Sequence, residues 1–202
     1  MSYKKWVNAE IDKAKASALS EKLNIDAFVA FLLVSRGIDD ELAASEFLSD
    51  VCRFSSPYLL KDMDKAVKRI NRALDDGESI CIYGDYDCDG VTSTALLYTF
   101  LSALGGFVSY YIPNRATDGY GMNFKAIDKI KADGTDLIIT VDNGISSIEE
   151  AEYIYSLGMQ LIVTDHHQIG ENLPRAEAVI NPHREDNEIE FRDFAGVGVA
   201  FK

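Results

Sequence analysis

Apolar residues recur along the first third of the chain at the three- and four-residue spacing of a helix face: Ile25, Phe28, Val29, Leu32 and Leu33, then Leu42, Phe47 and Leu48. The pattern predicts helices from Trp6 to about Asp76, and stripes of this kind are read as packing surface rather than as a cofactor site. Asp62 is expected to cap a further helix carrying Ala66, Val67, Ile70 and Leu74, which Gly77 ends. After Ser79 the texture changes. The runs SICIYG, VSYYIP, DLIITVD, QLIVTD and AVIN alternate with helical stretches from Val91 to Leu104, Asn123 to Lys131 and Ser146 to Leu157. Strands with little polar interruption are buried on both faces, which requires helices above and below. The expectation is therefore an α/β fold, a mostly parallel sheet flanked by helices over residues 77–202, preceded by a small helical region over residues 1–76.

In such a sheet, ligands bind outside the carboxyl ends of the strands, so the residues that follow each strand are the ones to inspect. ICIYG is followed by Asp85, Asp87 and Asp89, LIITV by Asp142, and QLIVT by Asp165, His166 and His167. One aspartate after a strand is ordinarily a turn or capping residue. Three strands that deliver acids and imidazoles to one edge point instead to a cation, because crowded carboxylates repel one another unless neutralised. DxDxDG also opens an EF-hand loop, but that loop needs a glutamate at its twelfth position, which here is Leu96, and it lies between helices rather than after a strand. His166 and His167 follow Thr164 and Asp165 at a strand end and are read as ligand or phosphate contacts; His183 lacks such company and is read as structural.

Composition narrows the setting. No run approaches the roughly 18 apolar residues of a membrane span, and the start carries no apolar secretory core, so a cytoplasmic location is expected. Cys52, Cys81 and Cys88 are odd in number and lack metal-type spacing, which leaves them as free thiols. Carboxylates around Cys88 favour a hard cation over a thiolate-bound soft one. The net charge of −13 argues against gripping nucleic acid through bulk electrostatics. A nucleic-acid role then requires a metal cluster for local positive charge and basic surface elsewhere in the protein.

YGDYDCDGVTSTALL, ITVDNGIS and IVTDHH resemble the first three motifs of the DHH phosphoesterase superfamily, in its RecJ-like single-stranded-DNA exonuclease form. SRGI, PYLLKDMDKAVKRI, IPNRATDGYGMN, AVINPHR and AGVGVAFK follow the same pattern in the same order, so the resemblance covers almost the whole chain. It implies a 5′ to 3′ exonuclease that degrades single-stranded DNA to mononucleotides with Mn2+ or Mg2+ in recombination and repair, meeting single-strand-binding protein and a helicase as partners. By motif position it implies Asp87, Asp89, Asp142 and His166 as metal ligands, with Asp142 shared between two ions. It implies His167 at the scissile phosphate, Asp85 as a hydrogen-bonding support of the first loop and Asp165 as the group that orients the histidines. Two cations about 3.5 to 4 Å apart hold a hydroxide and neutralise a phosphate displaced in line; carboxylates suit Mg2+ or Mn2+, and an imidazole tilts the choice to Mn2+.

Arg115, beside Asn114, reads either as a phosphate contact or as a structural ion pair. Ser93 and Thr94 read either as capping residues or as phosphate contacts. The family pattern also continues past GVGVAFK to a further metal-binding aspartate and a second domain. The resemblance therefore implies the amino-terminal part of a catalytic core, truncated before its fourth motif and with little or no activity by itself. Two other readings stand beside it. One is a DHH phosphoesterase for short oligonucleotides, cyclic dinucleotides or pyrophosphate, whose first motif tends to open with a histidine near the place of Tyr83. The other is a non-catalytic DHH scaffold.

Overall fold

A computed structural model of the chain describes residues 10–50, 54–116, 119 and 121–202. The chain divides into two compact units after Phe54. The first holds α1 (Lys13–Leu23), α2 (Ala27–Ser35) and α3 (Glu41–Leu48), each entered through an aspartate whose carboxylate accepts first-turn N–H groups: Asp12, Asp26 and Asp40. Their shared core is Leu19, Ala30, Leu33 and Ala44, with Ile25 and Val29 packed against it. Leu33 thus lies inside as the stripe predicts, whereas Phe28, Leu42, Phe47 and Leu48 are exposed. The helices have only 8 to 11 residues, and two of the four buried positions are alanines, so the small core closes without the larger side chains. Trp6 and Cys52 fall outside the described residues, as do Thr117, Asp118 and Tyr120 of the IPNRATDGYGMN stretch.

The second unit begins with a 3-10 turn, Pro57–Leu59, and α4 (Met63–Asp76). Gly77 ends α4 in the left-handed region at φ 68°, where Glu78 N–H reaches back to the Ala73 carbonyl. The expected boundary lay at residue 76. In the structure α4 groups with the sheet because Met63, Ala66 and Ala73 share a core with Ile80, Leu137 and Ile139. Asp62 stands at the helix start but makes no cap; at φ 65° its carboxylate turns to Arg184 and Lys65 instead.

Five strands follow: β1 (Ser79–Tyr83), β2 (Phe107–Tyr111), β3 (Leu137–Val141), β4 (Gln160–Thr164) and β5 (Ala178–Ile180). All pairs are parallel, in the order β2-β1-β3-β4-β5. The helices between them are α5 (Cys88–Ala103), α6 (Phe124–Ala132) and α7 (Ile148–Ser156), and α8 (Gly196–Phe201) comes last. Alternation along the strands feeds two cores. Tyr83, Ile138, Leu161 and Val163 face α6 and α7, while Ile80, Ile139, Ile162 and Ile180 face α4, α5 and α8. Each fully buried aliphatic side chain contributes roughly 1.5–3 kcal/mol of transfer free energy. The chain leaves β1 for β2 on one side and later places β3 on the other, so the strand order reverses between β1 and β3, where a crevice opens at the carboxyl ends. No helix among the described residues is long and apolar enough to cross a membrane.

Candidate metal centre

β1 is followed by Gly84, whose N–H donates to the Tyr111 carbonyl, and the loop then turns Asp85 inward. Asp85 Oδ1 accepts the Tyr86 N–H at 2.8 Å. Asp87 is the N-cap of α5, its Oδ1 accepting the Gly90 N–H at 2.9 Å. Position 90 must be glycine because a Cβ there would stand 2.6 Å from the Asp85 backbone. Asp89 reaches across to the start of α8, where Gly196 N–H donates to Oδ2 at 2.6 Å and Val197 N–H to Oδ1 at 2.8 Å.

Ser93 and Thr94 are neither caps nor exposed phosphate contacts. The helix starts at Cys88, three residues before the expected start, so both fall in its second turn, buried. Their hydroxyls donate to the carbonyls of Asp89 at 2.6 Å and Gly90 at 2.7 Å.

At the end of β3, Asp142 adopts φ 62° and is 1% exposed. Next to it, Asn143 Nδ2 donates to the carbonyls of Tyr83 and Val141, which ties the β1 and β3 ends together. At the end of β4, Asp165 Oδ1 accepts the N–H groups of His166 and His167 and lies 2.7 Å from His167 Nδ1, while Oδ2 accepts the Ile145 N–H. His166 Nε2 stands 3.0 Å from Asp142 Oδ1 and 3.5 Å from Asp89 Oδ2. The 3.0 Å approach does not have hydrogen-bond geometry, so Asp142 Oδ1 is buried without a donor. Asp85, Asp87 and Asp142 bring ligand atoms within 4.8 Å of one another, and so do Asp142, His166 and His167. Asp142 belongs to both groups.

The electrostatics carry the strain of this crowding. Burial first, then the charges of Asp89 and Asp87, push the Asp142 carboxyl up to about 7. Burial also raises Asp85, with a lesser contribution from Asp87. Burial alone would lower the His167 imidazole, but the hydrogen bond to Asp165 and the charges of Asp165, Asp142 and Asp85 together raise it. A buried carboxylate oxygen without a donor, between acids that repel it, fits a divalent cation held by carboxylate oxygens and an imidazole nitrogen.

At the rim, the exposed Arg115 guanidinium lies 5.4 Å from the Tyr86 ring centroid, and Asn114 Oδ1 accepts the Ala116 N–H. Arg115 makes no ion pair among the described residues. His183 belongs to neither ligand group. Three contributors were not expected from sequence: Gly196 with Val197, Asn143, and Asn181, whose Nδ2 donates to the His167 carbonyl at 2.9 Å. The glycines of AGVGVAFK and the NP of AVINPHR were the available signals.

Residues 79–202 match the DHH family, N-terminal domain. The single-stranded-DNA-specific exonuclease RecJ of Bacillus subtilis (strain 168) is 43% identical over 199 residues, 98% of this chain and 25% of that protein. The protein of the same name from Escherichia coli (strain K12) is 47% identical over 171 residues, 84% of this chain and 29% of that protein. Among solved structures, exonuclease RecJ bound to manganese superposes with a TM-score of 0.67 at 35% identity, covering 73% of this chain and 37% of that one. RecJ from Thermus thermophilus in complex with Mn2+ gives 0.70 at 28% identity, covering 93% and 26%. The chain thus spans about a quarter of the length of the curated relatives it matches.

Proposed function

Because the chain belongs to the DHH family, we propose that it is part of a metal-dependent phosphodiesterase that degrades single-stranded DNA to mononucleotides from the 5′ end. The observation that carries this reading is Asp142, the buried carboxylate common to two ligand groups at the strand ends. Asp87 and Asp142 would hold one ion, with Asp85 behind them, and Asp142 and His166 would hold the other. Asp89 completes the set from beside His166, its carboxylate oriented by the two N–H groups of α8. Relatives of this fold carry Mn2+ or Mg2+, and such ions supply an activated hydroxide and neutralise the phosphate.

The protein groups orient and protonate. Asp165 fixes His167 through Nδ1, which directs Nε2 away from Asp165, where the raised basicity suits donation to a phosphate oxygen. Arg115 meets a second phosphate from the rim, assisted by Asn114. Ser93, being buried, supports the first loop and takes no part in substrate contact. The setting is the cytoplasm, with single-strand-binding protein and a helicase as partners.

The test is Mn2+ titration of the chain by calorimetry, beside Asp142→Ala, with release of mononucleotides from single-stranded DNA measured on the whole protein of which the chain is part. Mn2+-dependent release, and binding lost in the variant, support the reading. No specific binding and no release transfer it to a non-catalytic scaffold.

A further inference from the structure

The pairing of β1 with β3 ends at Tyr83 and Thr140. Beyond it the backbone of each strand bonds outward, Gly84 N–H to the Tyr111 carbonyl of β2 and Asp142 N–H to the Thr164 carbonyl of β4. The two strands therefore part where the crevice opens. Asn143 spans the gap. Its Nδ2 donates to the Tyr83 carbonyl of β1 at 3.2 Å and to the Val141 carbonyl of β3 at 3.0 Å. The side chain reaches back over its own strand because the backbone turns around it, with Asp142 at φ 62° and Gly144 at φ 105°. A Cβ at position 144 would stand 2.7 Å from Thr140 Oγ1, so the turn admits only glycine there.

The orientation of this amide is settled by its partners, since only N–H groups can meet two carbonyls. Oδ1 is then left buried without a donor, in a residue 1% exposed. An unpaired buried oxygen opposes folding, which makes asparagine an unfavourable choice for a link that serves stability alone. The same two strands are also joined at their other end, roughly 15 Å away at the rise of a strand. There the exposed Asp136 accepts the Ser79 N–H on Oδ2 at 2.9 Å. The two links differ in what they hold. Asp136 stands far from the strand ends that carry the acids, whereas Asn143 joins the residue before the Asp85 and Asp87 loop to the residue before Asp142. Those three carboxylates bring ligand atoms within 4.8 Å of one another. A metal site tolerates ligand displacements of only about 0.5 Å, so a small splay of β1 from β3 would separate them.

We propose that Asn143 is a positioning residue of the metal centre: its N–H pair holds the carboxyl ends of β1 and β3 at the separation that lets Asp87 and Asp142 meet on one divalent cation. The inference rests on the proposed function, which supplies the cation.

The experiment is Mn2+ titration by calorimetry of the whole protein of which the chain is part, as wild type, Asn143→Ala, Asn143→Asp and Asp136→Ala, beside the metal-free Tm of each. Both alanine variants remove a link between β1 and β3 and are expected to lower the Tm. Asn143→Ala and Asn143→Asp both lack the N–H pair and are expected to weaken Mn2+ binding about tenfold or more. Asp136→Ala should stay within about twofold of wild type, because its link holds no ligand. The aspartate variant separates positioning from ligation, since it keeps an oxygen in the place of Oδ1. Affinity equal to or above wild type in Asn143→Asp makes position 143 a ligand and overturns the proposal. Unchanged affinity in Asn143→Ala overturns it too, as does equal weakening in Asp136→Ala, which marks a general loosening of the sheet. A wild type that binds no Mn2+ removes the proposed function and this inference with it, whereas the other adverse outcomes leave that function standing.

Discussion

Asp142 combines a left-handed backbone, near-complete burial and two acidic neighbours, each of which disfavours its ionised form or its conformation. Its carboxyl is raised above the unfolded value of 3.8 to about 7. The stability linked to it is therefore fully present below the unfolded value and is lost as pH rises through the folded one. Metal-free wild type should lose a few kcal/mol between about pH 4 and pH 7. Asp142→Asn, which tolerates the same φ without the charge, should be more stable than wild type by about 1–3 kcal/mol at pH 8 and little different at pH 4. Urea denaturation at the two pH values checks this, and added Mn2+ should stabilise wild type but not the variant.

Gly196 gives a second test at this scale. A Cβ there would lie 2.6 Å from Asp142 Oδ1 and 2.7 Å from Asp142 Cβ. Gly196→Ala should destabilise the protein by about 1–3 kcal/mol and weaken Mn2+ binding measured by calorimetry. Gly198→Ala is the control: its Cβ would approach the Phe194 side chain no nearer than 3.3 Å, and near-neutral behaviour is expected.

Between elements, the start of α4 and the edge strand β5 are joined by a buried ion pair, Asp62 with Arg184, each side chain 10% exposed. Arg184 Nη1 also donates to the Val179 carbonyl, and the guanidinium forks onto Asp186. The linkage continues to the edge that carries the candidate metal centre: Lys61 N–H donates to Asn187, Asn187 to the Asn181 carbonyl, and Asn181 to the His167 carbonyl. Burial opposes ionisation of Asp62, but Lys65 and Arg184 outweigh it and hold the carboxyl below its ordinary value. Its contribution is present above the unfolded pKa and disappears as pH falls through the folded one. Arg184→Met leaves Asp62 buried with one partner fewer and should cost about 3–5 kcal/mol at pH 7. The difference from wild type in urea denaturation should shrink as pH falls through the lowered value at which Asp62 takes up a proton.

For the whole molecule, the net charge of −13 sets the terms on which a polyanion can approach. A basic binding face makes affinity fall steeply with salt, whereas a grip through the metal centre and Arg115 engages few phosphates. Single-stranded DNA should therefore bind weakly without metal and more tightly with Mn2+. The slope of log K against log salt should be shallow, near −1 to −2 on the scale of about −0.7 per phosphate contact. Fluorescence anisotropy across a salt series, with and without Mn2+, measures both. A steep slope would place a basic surface on this chain that the sequence does not show.

Some of this architecture was readable residue by residue. Strands buried on both faces leave continuous apolar runs, so β1, β3, β4 and β5, and the acids and histidines after β1, β3 and β4, were visible from local pattern, whereas β2 showed as an aromatic run that the structure leaves largely exposed at the sheet edge. Gly77 was legible as a helix end because a left-handed turn there favours glycine. The strand order was not legible. It alone makes β1 and β3 neighbours, brings Asp85 and Asp87 within ligand distance of Asp142, and makes that residue common to two groups. Nor did periodicity reveal that Asp89 is held by backbone N–H groups more than a hundred residues away, that Asp62 turns from its helix to Arg184, or that Ser93 faces inward. Periodicity records only which side of an element is buried. A bond between distant segments leaves no repeat in either one, and a start three residues earlier turns a presumed cap into a buried second-turn hydroxyl.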